Sequence, residues 1–296
     1  MAKASVAAAV VEEERLPVRT VSGLPAEAMA AMEADAGAGI STAAEDNLVP
    51  QMYILQAQSP QVLKRNPAYI EGAEAGMIWL RNSPEPLVPG ESGIDFQPCW
   101  FERNVVEWVP RNQGGGFVAR HQFLDSERGD DAFRLLCERM KAHEVPDPEN
   151  DQRMRWVLEN GHELVDTRYH MGYVYRQDLA PQPFVIPLKG TGHTFSRRWT
   201  SGMKGVVSRN SEGRMFVLAS WGQLWRLTTR FNSRTSGDWF MYEADNGRNI
   251  VEVHGFDAYL MGKQLHDGFE QGALRTGAEE DTEGEGSSSR LAEAHI

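Results

Sequence analysis

Along residues 164–176 the side chains alternate with a period close to two. Val165, Tyr169, Met171, Tyr173 and Tyr175 share one face, and Asp166, Arg168, His170 and Arg176 share the other. Successive Cβ atoms of a strand point to opposite sides, so this is the pattern of a half-buried strand. Short apolar and aromatic runs at 77–80, 94–101, 105–109, 117–121, 183–188 and 238–243 lie between turn formers and predict further strands and hairpins. Residues 216–231 alternate as well, with Trp225, Leu227 and Phe231 opposite Arg226, Thr228 and Arg230.

Helical spacing appears in a few places. Thr194 is a good N-cap for a helix reaching about Val207, with Phe195, Trp199, Met203 and Val206 on one face and Arg197, Ser201 and Lys204 opposite. Residues 130–142 and 256–269 predict two more helices, and the Ala-rich stretch 26–34 predicts a short one with little to pack against. The apolar stretch 49–55 is expected to dock on the core, with Pro50 suited to the first turn of a helix. The charged stretch 125–166 reads as a surface insertion. The fold class expected is mainly β with a few helices (α+β), built as an elaborated OB-like β-barrel. Residues 1–47 form a disordered acidic segment, 48–271 the folded domain and 272–296 a disordered acidic tail in this reading.

A chain of 296 residues, 41% of them hydrophobic, can bury a substantial core. No run approaches the roughly 18 apolar residues of a membrane span. Lys3 and the apolar residues 4–11 imitate a leader, but Glu12, Glu13 and Glu14 stand where a small-residue cleavage site belongs, so an intracellular protein is expected. Cys99 and Cys137 have no metal-ligand spacing and read as core thiols of a reducing compartment.

The net charge of −12 argues at first against nucleic acid. Its distribution reverses that argument. Residues 1–47 carry Lys3, Arg15 and Arg19 against eight carboxylates, and 270–296 carry Arg275 and Arg290 against seven. Residues 186–234, in contrast, hold nine cations against Glu212 alone. Single-stranded nucleic acid needs cations along its phosphate track and π-faces for its unstacked bases. Trp199, Trp221, Trp225, Phe231 and Trp239 lie in or beside the basic stretch. The same residues also fit aromatics in a plain core with arginines on a solvated face.

Other signals are weaker. Residues 103–111 lead into Gly114, Gly115 and Gly116, which reads as a hairpin tip or a loop able to close on a ligand. Gly190-Thr191-Gly192 before a helix is a conceivable phosphate cradle, but it completes neither a P-loop nor a dinucleotide fingerprint. The motifs of serine hydrolases, zinc proteases, dithiol oxidoreductases and P-loop enzymes are missing from the sequence. His121, His162, His170 and His193 are scattered, and the aspartates of 125–151 match no calcium loop.

Four stretches carry a family resemblance: 63–73 (LKRNPAYIEGA), 106–111 (VEWVPR), 196–199 (SRRW) and 237–240 (GDWF). Through them residues 47–272 resemble a family of proteins encoded by tailed bacteriophages, some of them labelled single-stranded DNA-binding proteins. The resemblance implies single-stranded DNA as partner during phage replication or recombination in the cytoplasm of the infected host. It also implies an acidic C-terminal tail, which reads either as a recruiter of replication proteins or as a plain solubilising tail. Such tails often end in an aromatic residue, whereas this one runs through Ser287, Ser288 and Ser289 to Ile296.

The expected function is therefore a non-catalytic binder of single-stranded DNA, free of cofactor and metal, with room for a homo-oligomer and no membrane partner. Arg197, Arg198, Lys204, Arg226, Arg230 and Arg234 are expected on phosphates, with Arg103 and Arg111 extending the track and Trp108 and Trp221 stacking bases. The rival readings are a virion or assembly protein whose basic face meets protein, and a metal-dependent nuclease using the acidic insertion.

Overall fold

The computed structural model describes residues 25–34, 49–110, 113–147, 150–234 and 237–274. The chain divides into two units, Met1–Thr42 and Ala43–Ile296. In the first, the Ala-rich stretch forms helix α1 (Ala26–Ala34), in keeping with alanine's helix propensity. The rest of the expected N-terminal segment, and the tail from residue 275, lie outside the described residues.

The strands of the second unit are β1 (Met52–Ile54), β2 (Ile78–Leu80), β3 (Leu87–Val88), β4 (Ile94–Val109), β5 (Gly116–His121), β6 (His143–Asp147), β7 (Asn150–Val157), β8 (Glu163–Arg176), β9 (Leu179–Lys189), β10 (Val207–Arg209), β11 (Met215–Val217), β12 (Gln223–Arg234), β13 (Gly237–Ala244) and β14 (Arg248–Asn249). Its helices are α2 (Ala132–Arg139), α3 (Gly192–Met203), α4 (Ile250–His254) and α5 (Phe256–Glu270). The class is thus α+β, dominated by antiparallel strands.

The spine is the β4–β8 ribbon, paired antiparallel from Asp95–Tyr175 to Trp108–Glu163. The two apolar runs read separately at 94–101 and 105–109 are one strand, which bends at a bulge between Pro98 and Trp100. Each end of the ribbon carries its own flanking strands. At one end the order is β13-β12-β4-β8-β9, and at the other β5-β4-β8-β7-β6. The supposed insertion therefore extends the sheet, through β6 and β7, and packs α2 on it through Leu136 and Cys137.

The strands do not close into the expected barrel. The outer strands of the first end, β13 and β9, have no ladder with each other; residues 50–56 link them instead. Pro50 O accepts the Val185 amide at 2.9 Å. The Gln56 carboxamide takes both backbone groups of Phe240, accepting from its N–H at 2.8 Å and donating to its carbonyl at 2.9 Å. Stretch 49–55 is accordingly a strand edge rather than a helix start, and the ribbon continues past this end, which keeps the sheet open.

Alternation along β8 and β9 sorts the core into two faces. Val174, Phe184, Ile186 and Leu188 point toward α3, where Phe195 and Trp199 meet them together with Phe96, Trp225 and Tyr242. Tyr169, Met171 and Val185 point the other way, under Leu265 and Phe269 of α5 with Trp108. Cys99 and Cys137 are free and fully buried. Burial raises both thiols, that of Cys137 to about 12, so both stay protonated.

The expected strand 216–231 is broken by a turn at Ser220–Gly222, between β11 and β12. Its alternation also ends early. Trp225 and Leu227, where β12 pairs with β4, are buried, whereas Phe231 is 53% exposed. Beyond Thr229 the β12–β13 hairpin pairs with no third strand among the described residues, and Phe231 packs edge-on against Phe240.

Gln97 joins these parts. It is wholly buried, and its Nε2 donates to the carbonyls of Trp221 (2.6 Å) and Ala258 (3.0 Å) while Oε1 accepts from Tyr175 Oη (2.8 Å). One side chain thus ties β4 to β8, to the turn at 220–222 and to α5. Gly262 leaves room for it, since a Cβ there would lie 2.3 Å from Gln97 Nε2. Gln97→Leu strands these buried partners, and is expected to cost about 3 kcal/mol. Calorimetry should show a melting temperature lower by roughly 10 °C; a variant melting with the wild type would remove Gln97 from this role.

Candidate nucleic-acid interface

Helix α3 follows β9 through Gly190, whose φ of +49° lies in the left-handed region that glycine adopts freely. The helix starts at Gly192, two residues before the expected cap, and Thr191 makes no side-chain capping bond. Phe195, Ser196 and Trp199 are buried against the sheet. That anchoring turns Arg197, Arg198 and, just past the last turn, Lys204 outward into solvent. Among the described residues none of these three cations has an ion-pair or hydrogen-bond partner.

Beside α3 runs a groove of about 780 Å³. Its α3 wall offers Arg198 and Trp199, β12 offers Trp225, Arg226 and Arg230, and β13 offers Tyr242 and Glu243. The rings of Trp199 and Trp225 meet edge to face, 6.3 Å between centroids, so the aromatic floor is fixed. The Trp199 Nε1–H and the Tyr242 hydroxyl are buried without a hydrogen-bond partner among the described residues. Gly247 keeps Trp225 in place, because a Cβ there would come within 2.7 Å of its ring.

Charge in the groove is mixed. Arg226 is pinned by the Ser92 carbonyl (2.6 and 3.0 Å) and by Asp95 (3.3 Å), and Arg230 pairs with Glu243 at 2.8 Å. A cation already paired offers an incoming phosphate less than a free one, since one interaction replaces another. The α3 cations are therefore the better phosphate contacts.

The remaining expected contacts scatter. Arg103 makes a bidentate pair with Asp166, at 2.6 and 2.9 Å, on the α3 face of the ribbon. Trp108 lies on the opposite face, only 6% exposed, with the Lys189 ammonium 4.4 Å over its ring. Trp221 is on that opposite face too, half-buried and 4.3 Å from the His266 ring. Arg111 and the side chain of Arg234 lie outside the described residues. One groove thus collects Arg198 of α3 with Arg226 and Arg230, which lie on the side of β12 opposite Trp225; Arg197 and Lys204 stand on or just past the same helix, and Trp108 and Trp221 lie apart.

The sequence profile of the Pam3 phage gp34-like proteins matches residues 19–275. The chain belongs to that family. No curated protein and no solved structure matches it. The gp34-like match covers the whole described part of the second unit, so the α3 face and its groove belong to a phage protein family. No helix among the described residues is long and apolar enough to cross a membrane.

Elsewhere in this gp34-like fold, titratable groups cluster at three points. His170 Nε2 and Ser196 Oγ share a hydrogen bond of 2.8 Å, the separation of a base and a nucleophile, but the residues are 1% and 0% exposed. Burial, with Arg168 adding to it, pushes the His170 pKa down to about 3, so the neutral ring anchors α3 to β8. His266, Asp267 and Glu270 of α5 have the types and proximity of metal ligands. Asp267, however, is held by Lys263 at 2.7 Å and His266 Nδ1 donates to the Cys99 carbonyl at 3.0 Å.

The third cluster is Glu107, a buried carboxylate whose two oxygens meet His121 Nε2 at 2.8 Å and His162 Nδ1 at 2.6 Å. It clamps β5 and the β7–β8 turn onto β4. Desolvation pushes the Glu107 pKa up, yet the hydrogen bonds and charges of His162 and His121 outweigh it and hold the pKa below the ordinary 4.5. A depressed carboxylate contributes stability that is present above its unfolded pKa and is lost as the pH falls through its folded one. Glu107→Gln is accordingly expected to melt earlier than wild type at neutral pH, with the gap closing as the pH drops below 4.5. Equal melting at neutral pH, or a gap that widens in acid, would contradict this clamp.

Proposed function

We propose that this phage protein binds single-stranded DNA, without catalysis, across the solvent face of α3 and the groove beside it, during phage replication or recombination. The observation that carries the reading is the free, outward placement of Arg197, Arg198 and Lys204 next to an aromatic-floored groove. Phosphates would lie along α3 and unstacked bases would meet the groove aromatics, the combination that single-strand binders use. The five-strand end β13-β12-β4-β8-β9 would then play the part of an OB-type sheet, presenting one face to the strand. The sealed Ser196–His170 contact supports a binder over a hydrolase, because no substrate atom reaches it.

A second reading, docking to another protein during assembly, is favoured by the β10–β11 hairpin. There Met215, Phe216 and Val217 are consecutive and all 47–57% exposed. Salt separates the two readings, because phosphate binding releases counterions and apolar docking does not.

The test is a titration of intrinsic tryptophan fluorescence with a thymidine oligonucleotide and with a duplex of equal length. The wild-type chain is expected to bind the single strand tightly at low salt and the duplex weakly. Replacing Arg197, Arg198 and Lys204 together by Ala should weaken single-strand binding at least roughly tenfold, and lower the slope of log affinity against log salt by about two. Salt-insensitive binding, or a triple variant that binds like wild type, would overturn the assignment to α3.

A further inference from the structure

The polar face of β8 continues past His170 to a residue with no counter-charge. Register places Arg168 directly opposite Arg103 on β4, a like-charge cross-strand pair that ordinarily destabilises a sheet. Among the described residues one carboxylate serves this corner, Asp166, and Arg103 holds it in a fork while His193 lies 3.8 Å away. Arg168 has no hydrogen-bond or ion-pair partner among the described residues, and its Nε is buried without an acceptor. Burial and the nearby Arg103 pull Arg168 below the ordinary guanidinium range, Asp166 opposes them, and Arg197 of α3 lowers it further. Two arginines on neighbouring strands thus meet a single acid, which Arg103 occupies, and Arg197 on the helix above adds a further unpaired cation.

Two residues along β4 on the same face stands Phe101, 41% exposed. Its inner side packs on His170, 4.9 Å between centroids, and His170 is fixed in turn by Ser196 and by Trp199 at 4.7 Å. The ring is therefore a rigid apolar surface beside a cationic corner. A phosphate needs convergent guanidinium donors, and an unstacked base needs an immobile π-face.

We propose that Arg168, Arg197 and Phe101 form a nucleotide subsite, in which a backbone phosphate is held by Arg168 and Arg197 and the adjoining base stacks on Phe101. The subsite rests on the reading that the α3 face takes single-stranded DNA, and it extends the track to the side of α3 away from the groove. Arg197 and Arg198, adjacent on the helix, pass the strand from one side to the other.

The experiment measures anisotropy of a fluorescein-labelled thymidine 20-mer over a salt series with the wild-type chain, Arg168→Gln and Phe101→Ala, together with the melting temperature of each. Arg168→Gln is expected to weaken binding several-fold and lower the salt slope by roughly 0.7, one phosphate's share for a single strand. It should melt at or above the wild-type temperature, since it removes a half-buried cation whose Nε has no acceptor among the described residues. Phe101→Ala is expected to weaken binding roughly tenfold with the salt slope unchanged. If the wild-type chain binds and both variants match it, or if Arg168→Gln melts several degrees lower, the subsite is wrong while the α3 reading stands. If the wild-type chain fails to bind the oligonucleotide, the α3 reading falls and the subsite falls with it.

Discussion

Everything in the second unit depends on the continuous antiparallel pairing of β4 with β8. Two strands that long generate a sheet with two ends, each completed by its own neighbours. Because side chains alternate, the pairing also generates two chemically different faces. One face is sealed by α5 and carries Trp108 and Trp221; the other is sealed by α3 and carries Arg103 and Arg168. Gln97 locks the first face to its cover, and the His170–Ser196 bond does the same for the second. A shift of one residue in this register would send Arg168 under α5 and Tyr169 under α3.

The local elements were largely legible in the chain. The period-two pattern at 164–176 is β8, the pattern at 117–121 is β5, and the spacing at 256–269 is α5. Those readings hold because burial on one side leaves a mark on every second or every third to fourth residue. The closure of the sheet was not legible. It turns on whether β9 meets β13, and that is decided by a carboxamide from Gln56 standing in for a strand, which has no periodicity to detect. The join of 94–101 to 105–109 was hidden for a similar reason, since Glu102, Arg103 and Asn104 look like a turn until their partners on β8 are known.

The candidate site was legible in charge and illegible in pairing. Nine cations in one stretch pointed to α3 and β12, and α3 indeed presents Arg197, Arg198 and Lys204 freely. Composition could not tell that Asp95 and Glu243 occupy Arg226 and Arg230, because those acids come from distant positions or from the facing strand. Nor could it tell which tryptophans face the cations. Trp108 and Trp221 lie near basic residues in sequence, but near in sequence includes both sides of a sheet. Arg168 and Phe101 carry no signal in the sequence, because their significance lies in the register that sets Arg168 against Arg103 and Phe101 against His170.

The proposed function is spatial: it sets nucleic acid on the α3 face and not on the α5 face. Ultraviolet cross-linking of a 5-iododeoxyuridine oligonucleotide to the wild-type chain, followed by mass spectrometry of the linked peptides, locates the strand directly. The expected cross-links fall in peptides carrying Phe101, residues 192–204 and the groove strands β12 and β13. Cross-links confined to peptides of α5 and of the turn at Ser220–Gly222 would place the strand on the opposite face and contradict the account.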